Sequence, residues 1–291
     1  MQTMHLKLIL INLLFLLFLL NSCTREIEIN RVETNPKLVL NCFLIAGEPV
    51  TAYVSHTLPV TSGSIPFVVD ATVELWENNS FVTNLTPADS GIYKTAYIIR
   101  EQSKYEVRVN KPGFDPISGM DSVPSSVQLQ TAIAEYSKYK YADAGEILPL
   151  WSFEVTLTDN IASKNYYALN FIQMNPLFPD NPFRTFNNSY YSDIIISNEG
   201  YSGYFPDTYV FSDQLFDGME RTILMMMKDN ECYYPTESLK TLSEGYYIVL
   251  FSTSKTYYTY MKSLVVHRFN LQMSTDTGEA IYKGFTVNIP D

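Results

Sequence analysis

Apolar and polar residues alternate with period two along most of this chain, and the alternation gives way to a helical period only near its end. Tyr105, Val107 and Val109 are interleaved with Glu106 and Arg108, and Ala71, Val73 and Leu75 with Thr72 and Glu74. Successive side chains of a strand point to opposite faces, so each run predicts a strand with one buried and one wet face. Asn110-Lys111-Pro112-Gly113 closes the first of these runs. Proline presets the first central position of a turn and glycine accepts the positive φ of the second, which predicts a type II turn. With such turn signals at short spacing from Lys37 to about Val123, this region reads as an immunoglobulin-like or transthyretin-like sandwich.

A second region opens near Leu150. Trp151, Phe153, Val155 and Leu157 alternate with Ser152, Glu154, Thr156 and Thr158, and more strands are expected at Tyr166 to Met174, Thr222 to Met227 and Tyr246 to Phe251. Ser254 suits an N-cap, and after it Tyr257, Met261, Leu264, Val265 and Phe269 share one helical face. The predicted fold class is therefore all-β: an N-terminal sandwich over 37–127, a connecting segment over 128–149, and a second β-rich domain over 150–291 with one packed helix near 255–271. A chain of 291 residues exceeds the usual single domain, in keeping with two.

The first 22 residues read differently. Lys7 precedes an apolar run from Leu8 to Leu20, interrupted by Asn12, and Leu20-Asn21-Ser22-Cys23 closes it. This is the layout of a secretory leader, too short to cross a bilayer that a helix spans with roughly 20 residues. The closing residues match the processing site of a bacterial lipoprotein. Cleavage before Cys23 leaves its thiol for a thioether-linked diacylglycerol and its amine for a further acyl chain such as palmitate. Each buried methylene contributes about 0.8 kcal/mol and one chain holds a protein only marginally, so a multiply acylated Cys23 is what anchors. Residues 23–36, with Arg25, Glu26, Glu28, Arg31 and Glu33, then form a polar tether to the bilayer. The expected location is the cell envelope, at the outer membrane.

Charge narrows the partners. The net charge is −11, and removing the leader takes away the positive Lys7. Nucleic acid demands clustered Lys and Arg to release phosphate counterions, so DNA and RNA are excluded as natural partners. The 22 Tyr and 17 Phe against 12 Gly favour strands and large apolar faces. Beyond Cys23, Cys42 and Cys232 lie far apart with no short disulfide framework, and are expected as two buried thiols.

Little in the chain points to catalytic chemistry. The mature chain has His56 and His267, far apart, without a His-Glu-x-x-His helix or a zinc-spaced cysteine pair. Gly200-Tyr201-Ser202-Gly203 brings its second glycine one residue too early for a nucleophile elbow, and no phosphate-cradling loop or dinucleotide unit exists. Asp159, Asp180, Asp193, Asp207, Asp213 and Asp217 form no regular calcium loop and are expected as solvated turn carboxylates. No catalytic residue, metal or cofactor is assigned, and the chain is not expected to be an enzyme. The stretch from Asn175 to Tyr209 sets many aromatics among Pro, Asn, Ser and Gly, which suits irregular loops. Tyr190, Tyr191, Tyr201, Tyr204 and Phe205 are its candidate binding residues, since loop aromatics bring large amphipathic area at low conformational cost. Packing beneath the loops as satellite core is the competing reading.

Several of these segments together resemble a family of Bacteroidota outer-membrane lipoproteins known as domain of unknown function 4249. They are Cys23 with its charged tether, Leu38-Val39-Leu40-Asn41 through Gly47-Glu48-Pro49-Val50, Asp70-Ala71-Thr72-Val73-Glu74-Leu75, Gly91-Ile92-Tyr93, Tyr105 to Val109 through Pro112-Gly113-Phe114, and Val123-Pro124. In the second half, Asn165-Tyr166-Tyr167, Phe211-Ser212-Asp213, Leu215-Phe216-Asp217-Gly218, and Tyr257-Tyr258 through Lys262-Ser263-Leu264 continue the likeness in order. The resemblance implies a β-rich lipoprotein encoded beside a SusC-type TonB-dependent transporter. The expected function is a transporter accessory that binds ligand or caps the pore, with a cell-surface adhesin or structural lipoprotein as the alternative and an enzyme of unknown class third.

Overall fold

A computed structural model describes residues 35–58, 66–140, 147–161, 163–174, 183–185, 189–200, 207–228 and 246–277. Eight strands build the first half: β1 Leu38–Phe43, β2 Pro49–His56, β3 Thr72–Glu77, β4 Ser80–Asn84, β5 Thr86–Pro87, β6 Ile92–Ile98, β7 Ser103–Asn110 and β8 Ile117–Val123. They pair as two antiparallel sheets, β1-β2-β6-β5 and β4-β3-β7-β8. That is the strand order of an immunoglobulin-like sandwich, A-B-E-D facing C′-C-F-G.

Alternate residues meet between these sheets. Val50, Ala52 and Val54 of β2 face Val73 and Leu75 of β3 and Tyr105, Val107 and Val109 of β7, all buried in one cluster. Two buried tyrosines keep their hydroxyls satisfied inside it. Tyr93 donates to Val68 O and accepts from Ala71 N, both at 3.0 Å. Tyr105, at the start of β7, accepts from Arg100 N at 2.9 Å and donates to Glu77 Oε1 at 2.8 Å. This is the tyrosine corner of immunoglobulin-like sandwiches, in which the hydroxyl ties the strand to backbone a few residues upstream. The expected turn is present too: Gly113 has φ +87°, and Phe114 N donates to Lys111 O at 3.1 Å.

The second half is again two antiparallel sheets. Its elements are β9 Gln128–Lys140, β10 Ile147–Thr158, β11 Tyr166–Met174, β12 Phe183–Thr185, β13 Ser189–Ser192, α1 Ile194–Asn198, β14 Tyr209–Ser212, β15 Glu220–Lys228, β16 Tyr246–Thr253 and α2 Lys255–Thr277. One sheet runs β13-β15-β10-β9. In the other, β16 takes one edge of β11 while β14 and β12 share the opposite edge at different heights. Between the sheets lie Trp151, Phe153, Val155 and Leu157 of β10, Ile223, Met225 and Met227 of β15, and Leu169 and Phe171 of β11. Phe153 and Phe171 meet across the layer with ring centroids 4.6 Å apart.

Helix α2 explains why Tyr209 to Ser212 are buried in succession rather than alternately. Tyr257, Tyr258, Met261 and Val265 pack on the second core, so β14 is covered on both faces as strands beneath helices are. Ser254 caps this helix as expected, its Oγ accepting from Tyr257 N at 3.0 Å. The packed face gains Tyr258, Leu264 is not part of it, and the side chain of Phe269 lies outside the described residues.

Two sequence expectations need correction. Residues 128–140, assigned to a connecting segment, form strand β9. Its side chains from 128 to 135 are exposed on both faces, so burial imposes no alternation for a sequence to betray. The supposed irregular stretch from Asn175 to Tyr209 contains β12, β13 and α1, whose Ile195 and Ile196 are buried in the second core. No helix among the described residues is long and apolar enough to cross a membrane.

Candidate ligand-binding cleft

A cleft of about 600 Å³ opens where the two halves meet. Its first wall comes from the end of β1 and the turn beyond it, where Leu40, Cys42, Phe43 and Ile45 project; β8 and the following linker add Met120, Asp121 and Pro124. The opposite wall is the end of β16 and the first turn of α2, with Phe251, Ser254 and Tyr257. Its volume and its place between two packed bodies are those of small-molecule sites. Phe43 is 62 % exposed despite its size, because strand alternation turns it away from the sandwich core and into this opening.

Two contacts bridge the walls. Phe43 and Tyr257 meet edge to face at 6.4 Å between centroids. Ser254 Oγ donates to Asp121 Oδ2 at 2.6 Å, while Asp121 Oδ1 accepts from Ser122 N at 2.8 Å. Burial pushes the Cys42 thiol up to about 11 and leaves it a neutral free thiol. It is wall material rather than a nucleophile, since reactive cysteines need a depressed pKa. Burial also raises the Tyr257 hydroxyl, helped by neighbouring Tyr260.

Away from the cleft, two polar knots brace the second half. Asp159, 5 % exposed, accepts from the hydroxyl of Tyr167, from Asn165 Nδ2 at 3.1 Å and from Gly218 N at 2.7 Å. Asp159, Asp213 and Asp217 bring carboxylate oxygens within 4.8 Å of one another. Burial raises the Asp213 carboxyl, with Asp159 and Asp217 adding to the rise, while the Asn165 N–H opposes it. The second knot is Glu199, whose side chain is 7 % exposed. Its Oε1 accepts from Ser212 N at 2.8 Å and from Ser212 Oγ at 3.2 Å, and its Oε2 accepts from Lys262 Nζ at 3.0 Å and from the Tyr258 hydroxyl. That single carboxylate fastens α1 to both β14 and α2.

These knots overturn the expectation of solvated turn carboxylates at three positions: Asp159, Asp193 and Asp213 are buried. Asp193 caps α1 by accepting from Ile195 N at 3.0 Å and pairs with Arg221 at 3.2 Å. Asp207 and Asp217 are exposed, as expected, and Asp180 lies outside the described residues.

The chain matches the family described as Domain of unknown function (DUF4249) over residues 24–275. The chain belongs to the DUF4249 family. No curated protein and no solved structure matches it. In this DUF4249 chain, three separately recognised segments converge on the Asp159 knot: Asn165-Tyr166-Tyr167, Phe211-Ser212-Asp213 and Leu215-Phe216-Asp217-Gly218. A fourth, Gly91-Ile92-Tyr93, holds the sandwich core. Gly91 has φ +74°, and a Cβ there would stand 2.4 Å from Val54 O, so only glycine fits this approach of β6 to β2.

The sequence-picked site residues fare unevenly. Tyr190 and Tyr191 lie on β13, the edge strand beside β15, with Tyr191 opposite Met226. Tyr201, Tyr204, Phe205 and the lipidation candidate Cys23 lie outside the described residues, as does Cys232. The DUF4249 cleft itself was missed. The available signal was Phe43 and Ile45, apolar residues on the wet phase of β1 and just past it, where alternation demands polar ones.

Proposed function

We propose that this chain is a lipid-anchored envelope protein that binds a small ligand in its interdomain cleft and serves a SusC-type TonB-dependent transporter as an accessory. The observation that carries the reading is the placement of the cleft relative to the tether. The chain enters the sandwich at Lys37, whose N–H donates to Thr57 Oγ1 at 2.9 Å, and β1 then runs to Phe43 at the cleft. Six extended residues cover roughly 20 Å, so Phe43 on the cleft wall stands about that far from the point where the chain enters the sandwich. A leader ending just before Cys23 and a cleft that reaches roughly 20 Å beyond the chain's entry into the sandwich suit capture of a ligand off the membrane surface.

Two measurements test it in the native host. Radiolabelled palmitate is expected in the mature wild-type polypeptide and not in Cys23→Ser, which is expected to leave the membrane fraction. A tagged chain solubilised in mild detergent is expected to co-purify with a TonB-dependent transporter. Absence of label, or repeated pull-downs without a transporter but with retention on matrix ligands, would overturn the accessory reading in favour of an adhesin.

A further inference from the structure

We infer that the cleft selects amphiphiles bearing a protonated amine, with Asp121 as the recognition group. This rests on the ligand-binding reading above and narrows it to a chemical class. The walls favour an apolar body: Leu40, Phe43, Met120, Phe251 and Tyr257 supply aliphatic and aromatic surface from both halves. The charged residues that line it are Asp121 and Glu101, both acidic, and no lysine, arginine or histidine lines it among the described residues. An anionic head would therefore meet like charge in a partly dry opening.

Asp121 is half-buried, and its two protein hydrogen bonds come from neutral donors, Ser122 N and Ser254 Oγ. An ionised carboxylate offers about four lone-pair sites, so roughly two are left for an incoming donor. No Lys, Arg or His side chain lies within ion-pairing distance of it among the described residues. Asp193 has Arg221 and Glu199 has Lys262, whereas Asp159 and Asp213 are buried away from the cleft among the neutral donors of their knot. Asp121 thus presents an uncompensated negative charge at an apolar cleft, where a charge-assisted bond to an ammonium is stronger than one to a neutral donor. The rings of Phe43, Phe251 and Tyr257 add faces that attract a cation, and the net charge of −11 steers cations towards the molecule.

The test uses the full mature chain carrying Cys23→Ser, so that its own acyl groups do not compete, and three probes of equal length: octylammonium, 1-octanol and octanoate, each below its aggregation concentration. Calorimetric titration at low ionic strength is expected to show octylammonium binding at least about tenfold more tightly than octanol, with octanoate weakest. Asp121→Asn is expected to abolish the preference for octylammonium over octanol. Added salt is expected to narrow the wild-type ratio, a readout that stands should Asp121→Asn fail to fold. Ser126→Trp, a bulky plug at an exposed position of the rim, is expected to weaken all three probes. Equal wild-type affinity for octylammonium and octanol, or a preference that persists in folded Asp121→Asn, overturns the amine selectivity and leaves the binding cleft standing. Failure of octanol and octylammonium alike to bind wild type overturns both.

Discussion

Tyr105→Phe removes one oxygen from a site with no exposed surface and changes no packing volume, so its cost is almost purely that of hydrogen bonds. Two are lost: the bond donated to Glu77 Oε1 at 2.8 Å and the bond accepted from Arg100 N at 2.9 Å. A hydrogen bond to a charged group contributes about 1.5–3 kcal/mol, and an orphaned backbone N–H adds to the loss where water cannot reach it. A destabilisation of about 2–4 kcal/mol is expected from urea unfolding at neutral pH. Tyr97→Phe removes the second tyrosine donor to Glu77, at 2.8 Å on Oε2, from a partly exposed ring that water can replace, and about 1 kcal/mol is expected there. The pH dependence follows from Glu77, whose carboxyl is held below its ordinary value of 4.5, first by the Tyr105 hydroxyl and then by that of Tyr97. A depressed carboxyl stabilises the fold above its unfolded pKa, and the contribution drains away as pH falls through the folded one. The gap between wild type and Tyr105→Phe should therefore narrow as the pH is taken down from 4.5. Equal losses for the two phenylalanine variants, or a gap that does not change with acid, would refute the argument.

Three further outcomes are expected. Glu199→Ala strips the shared acceptor from Ser212, Tyr258 and Lys262 and should cost about 3–5 kcal/mol by urea denaturation, as breaking a buried ion pair does; a loss below about 1 kcal/mol would deny Glu199 its role in fastening α2. Cys42, with its thiol pushed up to about 11, should be alkylated by iodoacetamide at neutral pH far more slowly in the folded chain than in urea, and equal rates would contradict its burial. Gly91→Ala and Gly113→Ala both place a side chain at positive φ, yet only Gly91 is crowded by backbone. Gly113→Ala should cost about 1 kcal/mol and Gly91→Ala clearly more by thermal melting, and the reverse order would count against the Val54 approach.

What the sequence revealed depended on whether burial writes a period into it. β3, β7 and β10 were legible because one face of each enters a core, and residues such as Val107 and Phe153 recur every second position. β9 was hidden because it pairs with β10 along one edge and buries neither face from 128 to 135. Backbone hydrogen bonds stabilise a strand without leaving a side-chain pattern. The N-cap at Ser254 was readable since it is local chemistry, whereas the Asp159 knot joins positions as distant in sequence as Asp159 and Asp217. The cleft is harder still, because its walls come from β1, β8, β16 and α2, and none of them supplies more than five of its residues.

Ser254 joins the cleft to the helix behind it. A hydroxyl has one hydrogen to give, and here it goes to Asp121, while an oxygen lone pair receives Tyr257 N–H and caps α2. Drawing β8 away from β16 therefore breaks the bond to Asp121 without uncapping the helix. The separation costs one bond to a carboxylate, about 1.5–3 kcal/mol, and the Phe43–Tyr257 ring contact, about 0.5–1.5 kcal/mol. An ammonium group on the free lone pairs of Asp121 adds a charge-assisted bond that offsets the first of these, and an apolar body between Phe43 and Tyr257 offsets the second. The contacts that bridge the cleft walls are thus of the kinds an amphiphilic amine supplies, so widening the cleft around such a ligand carries a small net cost while Glu199 keeps α2 seated on β14.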